Sequence, residues 1–514
     1  QPTIELLLAH QRTRASKMPK PVKISNKKKK KRNNGSKRKE NEGSSSLASE
    51  PIRSWHPGVD KLEEDEVLEC DPSTYNSLHS FLAEWPSLSF DIVRDSLGLI
   101  RNEFPHTVYL VAGTQAEKGA SNHIGVYKVF NISGRRRELN SKKENDDEES
   151  DSDSQSDSEE DDYGEDSGKR MVQVRKVAHE GCINRIRSMP QNPHICASWS
   201  ESGHVQIWDF SVHLNALSQN FIDSNVDSVV INQPPLAVHG VHKIEGFALD
   251  WNSRVPGKLV SGDCNKFIHL WEPSGSSWNV DKVPFIGHSS SVEDLQWSPT
   301  EETVFASCSS DKTIAIWDTR KGKSPAFQFQ AHEADVNVIS WNKLASVMLA
   351  SGSDDGNLSI RDLRQISNGG ERSRVAHFEY HKKPITSVEW SPHEASSLAV
   401  SCADDQLTYV LSLNMAVVAL IGICVLRIWD LSLEKDEEEE AEFKEQAGNY
   451  VKEPNDLPPQ LLFDHHGQKD LKEIHWHSQI PGMIISTARD FNILMPYNIQ
   501  SFLPPVSAEV PMND

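Results

Sequence analysis

Residues 287–318 read GHSSSVEDLQWSPTEETVFASCSSDKTIAIWD. An apolar strand is followed by small residues (SCSSD), a turn, and a second apolar run ending in Ile-Trp-Asp. Short runs of this kind, punctuated by Ser, Pro, Asp and Gly, are the signal of antiparallel strands rather than helices. Working outward, the same order recurs along the chain. His288 precedes Trp317 by 29, and the same offset separates His179 from Trp208 and His242 from Trp271. His332 precedes Arg361 by 29, with Arg in the Trp slot. Trp251, Trp297 and Trp341 each fall nine residues after a member of the His series. An internal repeat with a period of about 40–45 residues builds a solenoid or a ring of small sheets, each unit burying its face against the next.

On VQIWD (205–209), residues 287–318, and AH…SDDGNLSIRD (331–362), the chain resembles the WD-repeat family. The resemblance implies an all-β, seven-bladed WD-repeat β-propeller over 87–500, each blade holding four antiparallel strands. The first blade is expected at about 87–131 and the last at about 460–499. His288, Ser307 or Ser309, Asp311 and Trp317 could be mistaken for a hydrolase triad. The same set returns at His332 and Asp355, and a group repeated in successive blades cannot be one active site. The resemblance implies instead a buried hydrogen-bonded tetrad that ties a loop to its own blade, weakened where Arg361 replaces Trp. His475 and His477 read as strand-surface residues lacking a third metal ligand. No phosphate-binding loop or nucleophile elbow is present. The expectation is no enzyme, no cofactor and no metal.

Charge is unevenly placed. Net charge is −21 over 514 residues, yet residues 1–40 hold 14 Lys/Arg against Glu5 and Glu40. A basic tail on a strongly acidic body argues for basic protein partners and against sequence-specific nucleic-acid binding by the body. Residues 1–50 are expected to be a disordered tail, with 1–17 read as sequence upstream of a start at Met18. Lys27, Lys28, Lys29, Lys30, Lys31 and Arg32 form an import-type cluster for an import receptor. Seven scattered cysteines without CxxC spacing fit a reducing compartment.

Two acidic segments stand out: 144–166, where Asp and Glu fill 14 positions, and 434–445. They are expected between the first and second and between the sixth and seventh blades. Ser150, Ser156 and Ser158 each have an acid at +3, the pattern of acid-directed kinases. Residues 70–86 (CDPSTYNSLHSFLAEWP) are expected to form an amphipathic helix, with Asp71 as cap and Tyr75, Leu78, Leu82 and Trp85 on one face. Residues 501–514 are a tail.

LAEWPSL (82–88), HEGCINRIRSMPQNP (179–193) and an acidic segment running into PPQLLFDHHG (458–467) resemble the histone-binding branch of WD-repeat proteins. Within that branch the chain is similar to the glutamate-rich WD-repeat ribosome-biogenesis factors. The resemblance implies a nuclear and nucleolar chaperone that binds a basic ribosomal protein of the large subunit and histones. It also implies a cargo groove carried by Leu78, Leu82, Trp85, Glu438, Glu439, Pro458 and Pro459. Asp318 with Arg320 and Asp362 with Arg364 resemble the box by which WD-repeat receptors dock on a cullin-4 ubiquitin-ligase adaptor, the alternative function.

One stretch breaks the pattern. Tyr409–Leu426 holds 18 uncharged residues, enough to span a bilayer as a helix. His288 to Asp311, His332 to Asp355 and His381 to Asp404 share one offset of 23, but Asp404 to Trp429 is 19 longer than Asp311 to Trp317. A spanning helix would separate two strands that must lie about 4.8 Å apart, so no membrane partner is expected. Residues 409–427 read as an atypical insertion, of the kind a retained intron leaves.

Overall fold

The computed structural model describes residues 72–135, 171–219, 229–368, 370–381, 383–403, 425–432, 458, 460–468 and 470–499, together with the backbone of three strands before them. Those three, Val22–Asn26, Arg53–Trp55 and Glu66–Glu69, form a small antiparallel sheet. The alternation Val22-Lys23-Ile24-Ser25 supplies a strand pattern that the average composition of the basic tail conceals.

Seven four-stranded sheets follow, joined in a ring. Blade 1 is Ser89–Val93, His106–Gly113, His123–Ile132 and Met171–Ala178, with Val230–Ile231 added parallel at its edge. Blade 4 is Val292–Trp297, Val304–Ser309, Thr313–Asp318 and Phe327–Gln330. Blade 5 is Val336–Trp341, Met348–Ser353, Leu358–Asp362 and Arg374–Phe378. Blades 2, 3 and 6 follow the same order. The innermost strands touch in sequence around the ring, and that of blade 7 (Glu473–Trp476) returns to that of blade 1.

Closure overturns the expected helix at 70–86. Residues Pro72–Thr74 make a 3₁₀ turn and Tyr75–Leu82 is a strand, paired antiparallel with Asp490–Pro496 as the outer strand of blade 7. Blade 7 has only three strands of its own after residue 470. Without Tyr75–Leu82 it would leave a row of unpaired N–H and C=O groups at its edge. Burial follows period two rather than 3.6: Phe81 enters the core shared with blade 1, whereas Tyr75 and Leu78 face the core shared with blade 6. Leu82, expected on the buried face, is 82% exposed.

Strand order also moves the acidic segments. Residues 133–170 link the third and outer strands of blade 1, and residues 431–460 link the same two strands of blade 6 (Val425–Asp430 and Leu461–His465). Both segments therefore lie inside blades, not between them, because the outer strand of each of these blades follows the acidic run in sequence.

Blade 6 also corrects the expected insertion at 409–427. Five residues separate Cys308 from its partner Ile314 in blade 4, whereas 24 separate Ser401 from Leu426, an excess of 19. Val425, Leu426 and Arg427 are buried members of the third strand, so the excess lies within 403–424. Offsets in the sequence fix how many residues are extra but not which ones. Pairing fixes that, since Arg427 reaches Asp464 at 3.1 Å from inside the sheet. Cys402 and Val425 are direct partners, so the excursion starts and ends at one place. Among the described residues no helix is long and apolar enough to cross a membrane.

Candidate functional site

Each blade is held by its own hydrogen-bonded chain. In blade 4 the Trp317 indole donates to Ser307 Oγ at 2.8 Å, Ser307 meets His288 Nε2 at 2.7 Å, and His288 Nδ1 meets Asp311 Oδ2 at 3.1 Å. Ser307 is completely buried. Burial alone would push the Asp311 carboxyl up, but the bonds from His288, Thr313 and Ser289 hold it below the usual range. Blade 3 repeats the chain with Trp271, Ser261, His242 and Asp263. In blade 5 His332 meets Ser351 at 2.8 Å, and its Nδ1 lies 3.5 Å from Asp355. The buried Arg361 fills the Trp slot and donates to Gly370 O at 2.6 Å and Ala331 O at 2.7 Å, its guanidinium lying over the Phe329 ring. Blade 5 has thus exchanged the end of the chain for a guanidinium clamp. Blade 6 has lost more: Val400 stands where Ser307 stands in blade 4, and His381 Nε2 and Trp429 Nε1 are left without partners.

Bonds between blades follow a rule that sequence reading missed. The residue before each inner-strand Trp accepts the main-chain N–H of the corresponding Trp in the next blade. Asp250 takes Trp297 N at 2.7 Å, Gln296 takes Trp341 N at 2.7 Å, Ser340 takes Trp390 N at 3.0 Å, and Glu389 takes Trp476 N at 2.7 Å. Asp, Gln, Ser and Glu share only an acceptor oxygen, which no single-letter pattern reveals. Burial pushes Asp250 up to about 7. Where the ring closes, Glu473 accepts Arg185 and Arg187 at 2.6 Å each, Ser89 Oγ at 2.8 Å and Phe90 N at 2.9 Å. Burial would raise this carboxyl, but the two arginines hold it well below the carboxylate range.

His475 and His477 are not surface residues. His475 lies between Glu389 (3.3 Å) and Glu473 (3.6 Å). Burial disfavours its charge, yet the two carboxylates raise it to about 10. His477 is fully buried and its Nδ1 accepts the Gln479 N–H. The inner strand turns inward at this point, so an alternating pattern that looks exposed faces the next blade.

With four antiparallel strands per blade, hairpins alternate between two faces. Inner-to-second and third-to-outer connections open on one face, here the lower. Second-to-third and blade-to-blade connections open on the upper. Arg320 and Arg364 follow third strands and lie on the lower face. Arg320 forms a fork on Asp318 (Nε 2.9 Å, Nη2 2.9 Å), and Arg364 forms one on Asp362 (Nε 3.0 Å, Nη2 2.6 Å). Both carboxylates are buried, while the arginine side chains remain 66% and 45% exposed. The Arg320 bond lowers Asp318 to about 2. In blade 6 the equivalent Asp430 binds Ser432 instead, so blades 4 and 5 alone carry the fork among the described residues.

The expected cargo groove is not assembled as one site. Leu78 packs against blade 6 beside Leu462 and Phe463. Leu82 and Trp85 sit where the chain passes over the upper face into blade 1. Pro458 precedes the outer strand of blade 6 on the lower face, its carbonyl accepting Leu461 N. Glu438, Glu439, Pro459, the Lys27–Arg32 cluster and Ser150, Ser156 and Ser158 lie outside the described residues.

The sevenfold ring, its repeated tetrads and its acceptor clasp define a WD-repeat β-propeller. The WD domain, G-beta repeat model matches residues 171–209, 280–318 and 323–362, and the model for histone-binding protein RBBP4 and its counterpart in the CAF1 complex matches 65–133. Protein HEAT STRESS TOLERANT DWD 1 of Arabidopsis thaliana is 62% identical, covering 90% of this chain and 95% of the relative. Glutamate-rich WD repeat-containing protein 1 of Dictyostelium discoideum is 43% identical over 87% and 86% of the two chains. Ribosome assembly protein rrb1 of Schizosaccharomyces pombe is 40% identical over 84% and 82%. The chain belongs to the family of glutamate-rich WD-repeat proteins.

Proposed function

We propose that the chain is a non-enzymatic nuclear and nucleolar chaperone, or assembly scaffold, for basic proteins: a large-subunit ribosomal protein and histones. The observation that carries this reading is topological. Both acidic runs, 144–166 and 434–445, are tethered on the lower face, in blades 1 and 6, with only blade 7 between them. Polyanions fixed side by side on a rigid disc attract and shield a cationic protein, with strong salt dependence. The name of the fission-yeast relative and the import-type cluster Lys27–Arg32 support the nuclear setting. The test is affinity purification of the tagged full chain at low and high salt with mass spectrometry. Recovery of basic ribosomal proteins or histones at low salt, lost when both acidic runs are neutralised to Asn/Gln, is expected. Failure to recover any, or binding unchanged by neutralisation, refutes the reading.

A second role rests on the exposed Arg320 and Arg364 forks, which resemble adaptor-docking boxes; the Arabidopsis relative carries DWD in its name. Arg320→Ala with Arg364→Ala is expected to abolish co-purification of a cullin-4 adaptor while sparing cargo. Equal adaptor recovery would rule that role out.

A further inference from the structure

The connection from Val93 to His106 in blade 1 opens on the lower face and carries Ser96-Leu97-Gly98-Leu99-Ile100. Leu97, Leu99 and Ile100 are 56%, 81% and 55% exposed. Three large apolar side chains held in water within four residues are costly unless something covers them. They are not on a loose loop. The Gln479 side chain, from blade 7, accepts Asp95 N at 3.0 Å and donates to Asp95 O at 2.9 Å and Gly98 O at 2.7 Å. Arg101 bridges Asp95 at 2.8 Å, donates to Thr107 O at 2.9 Å, and its own N–H reaches Gln479 O at 2.8 Å. Gly98 takes φ +149°, a conformation that side-chain-bearing residues rarely adopt. The knuckle is thus built to present its apolar tips in one fixed arrangement.

We infer that Leu97, Leu99 and Ile100 form an apolar anchor for a basic, amphipathic segment of a bound protein; this rests on the basic-cargo reading above. The tether of the first acidic run lies at the foot of the knuckle. Gly134 abuts Phe104, where an added Cβ would fall 2.5 Å from the ring. Ser133 O accepts from Ser77 Oγ and meets His79 Nε2, and Arg135 N donates to Asn76 O. The second acidic run leaves the same face one blade beyond Gln479. An apolar patch between two polyanions selects a partner with apolar residues set among Lys and Arg. A second copy of this chain, at net charge −21, or an anionic lipid surface would be repelled.

Two synthetic peptides with equal numbers of lysines distinguish the outcomes. One places leucines on a single helical face; the other has glutamine in their place. Binding to the full chain is followed by fluorescence anisotropy at low and physiological salt. The leucine peptide is expected to bind about tenfold more tightly, the order expected from covering three half-exposed side chains. Leu97→Ser, Leu99→Ser and Ile100→Ser together are expected to remove that difference while leaving binding of the glutamine peptide unchanged. Equal binding of both peptides to the unmodified chain, or a difference surviving the triple substitution, overturns the anchor and leaves the basic-cargo reading intact. If neither peptide binds, both fall. Sedimentation that shows a dimer lost on triple substitution assigns the knuckle to self-association and overturns the proposed occupant.

Discussion

Ser307→Ala removes a single oxygen, and the two bonds that oxygen makes set the cost. Ser307 Oγ is the only link between the Trp317 indole and the His288 ring. Its loss leaves a buried N–H and a buried ring nitrogen without partners, at about 1–3 kcal/mol each. Because the two groups share one site, their costs will not add in full, and a net loss of about 2–4 kcal/mol is expected. That is a large part of the roughly 5–15 kcal/mol that holds a typical domain together. Blade 6 provides the reciprocal experiment, since Val400 already occupies the matching slot and strands His381 Nε2 and Trp429 Nε1. Val400→Ser gives up about 1–2 kcal/mol of apolar burial and satisfies two orphans. The expected net change is a stabilisation of about 1 kcal/mol. Urea unfolding followed by the fluorescence of the 13 tryptophans reads both. Midpoints should move in opposite directions with the slope unchanged. A Ser307→Ala shift below about 0.5 kcal/mol, within the range of ordinary surface changes, would refute the account of the tetrad as a structural chain.

Arg361→Ala leaves the carbonyls of Gly370 and Ala331 unpaired and opens a cavity. About 3 kcal/mol should be lost, with faster amide exchange confined to 358–378; unchanged exchange there would count against the clamp. The His475 pKa is raised to about 10 from an ordinary value near 6.5, so its contribution is complete below pH 6.5 and disappears as pH rises towards 10. Stability should fall across that window by up to about 1.4 kcal/mol per pH unit from this group. His475→Gln should flatten the slope, and identical slopes would disprove the assignment. Gln479→Ala cuts three bonds to the 94–101 connection. Amide exchange at residues 95–101 should accelerate by at least about tenfold, for a loss of about 1.4 kcal/mol or more of local stability; unaltered exchange would show that the knuckle is held by other means.

Much of the propeller is legible along the chain. His, Trp and Asp keep fixed offsets because each blade must close the same hydrogen-bonded chain. The spacing is therefore a physical constraint written directly in sequence. Register counting located the excess length in blade 6 for the same reason. The forks at Asp318–Arg320 and Asp362–Arg364 are legible too, being bonds between residues two apart.

Everything that depends on which segments become neighbours is hidden from such a reading. Tyr75–Leu82 carries apolar residues that fit a helix by period, and only the open edge of a blade built from the far end of the chain makes it a strand. The acceptors of the inter-blade clasp, the Glu473–Arg185–Arg187 centre and the Gln479 pin join residues far apart in the chain, so no local pattern announces them. The repeat, the blade type and the charge of the partner can be read residue by residue, because each is a local or summed property. Closure of the ring settles which termini pair, which face carries both acidic runs, and which apolar side chains are left in water, because those depend on the order of strands in space.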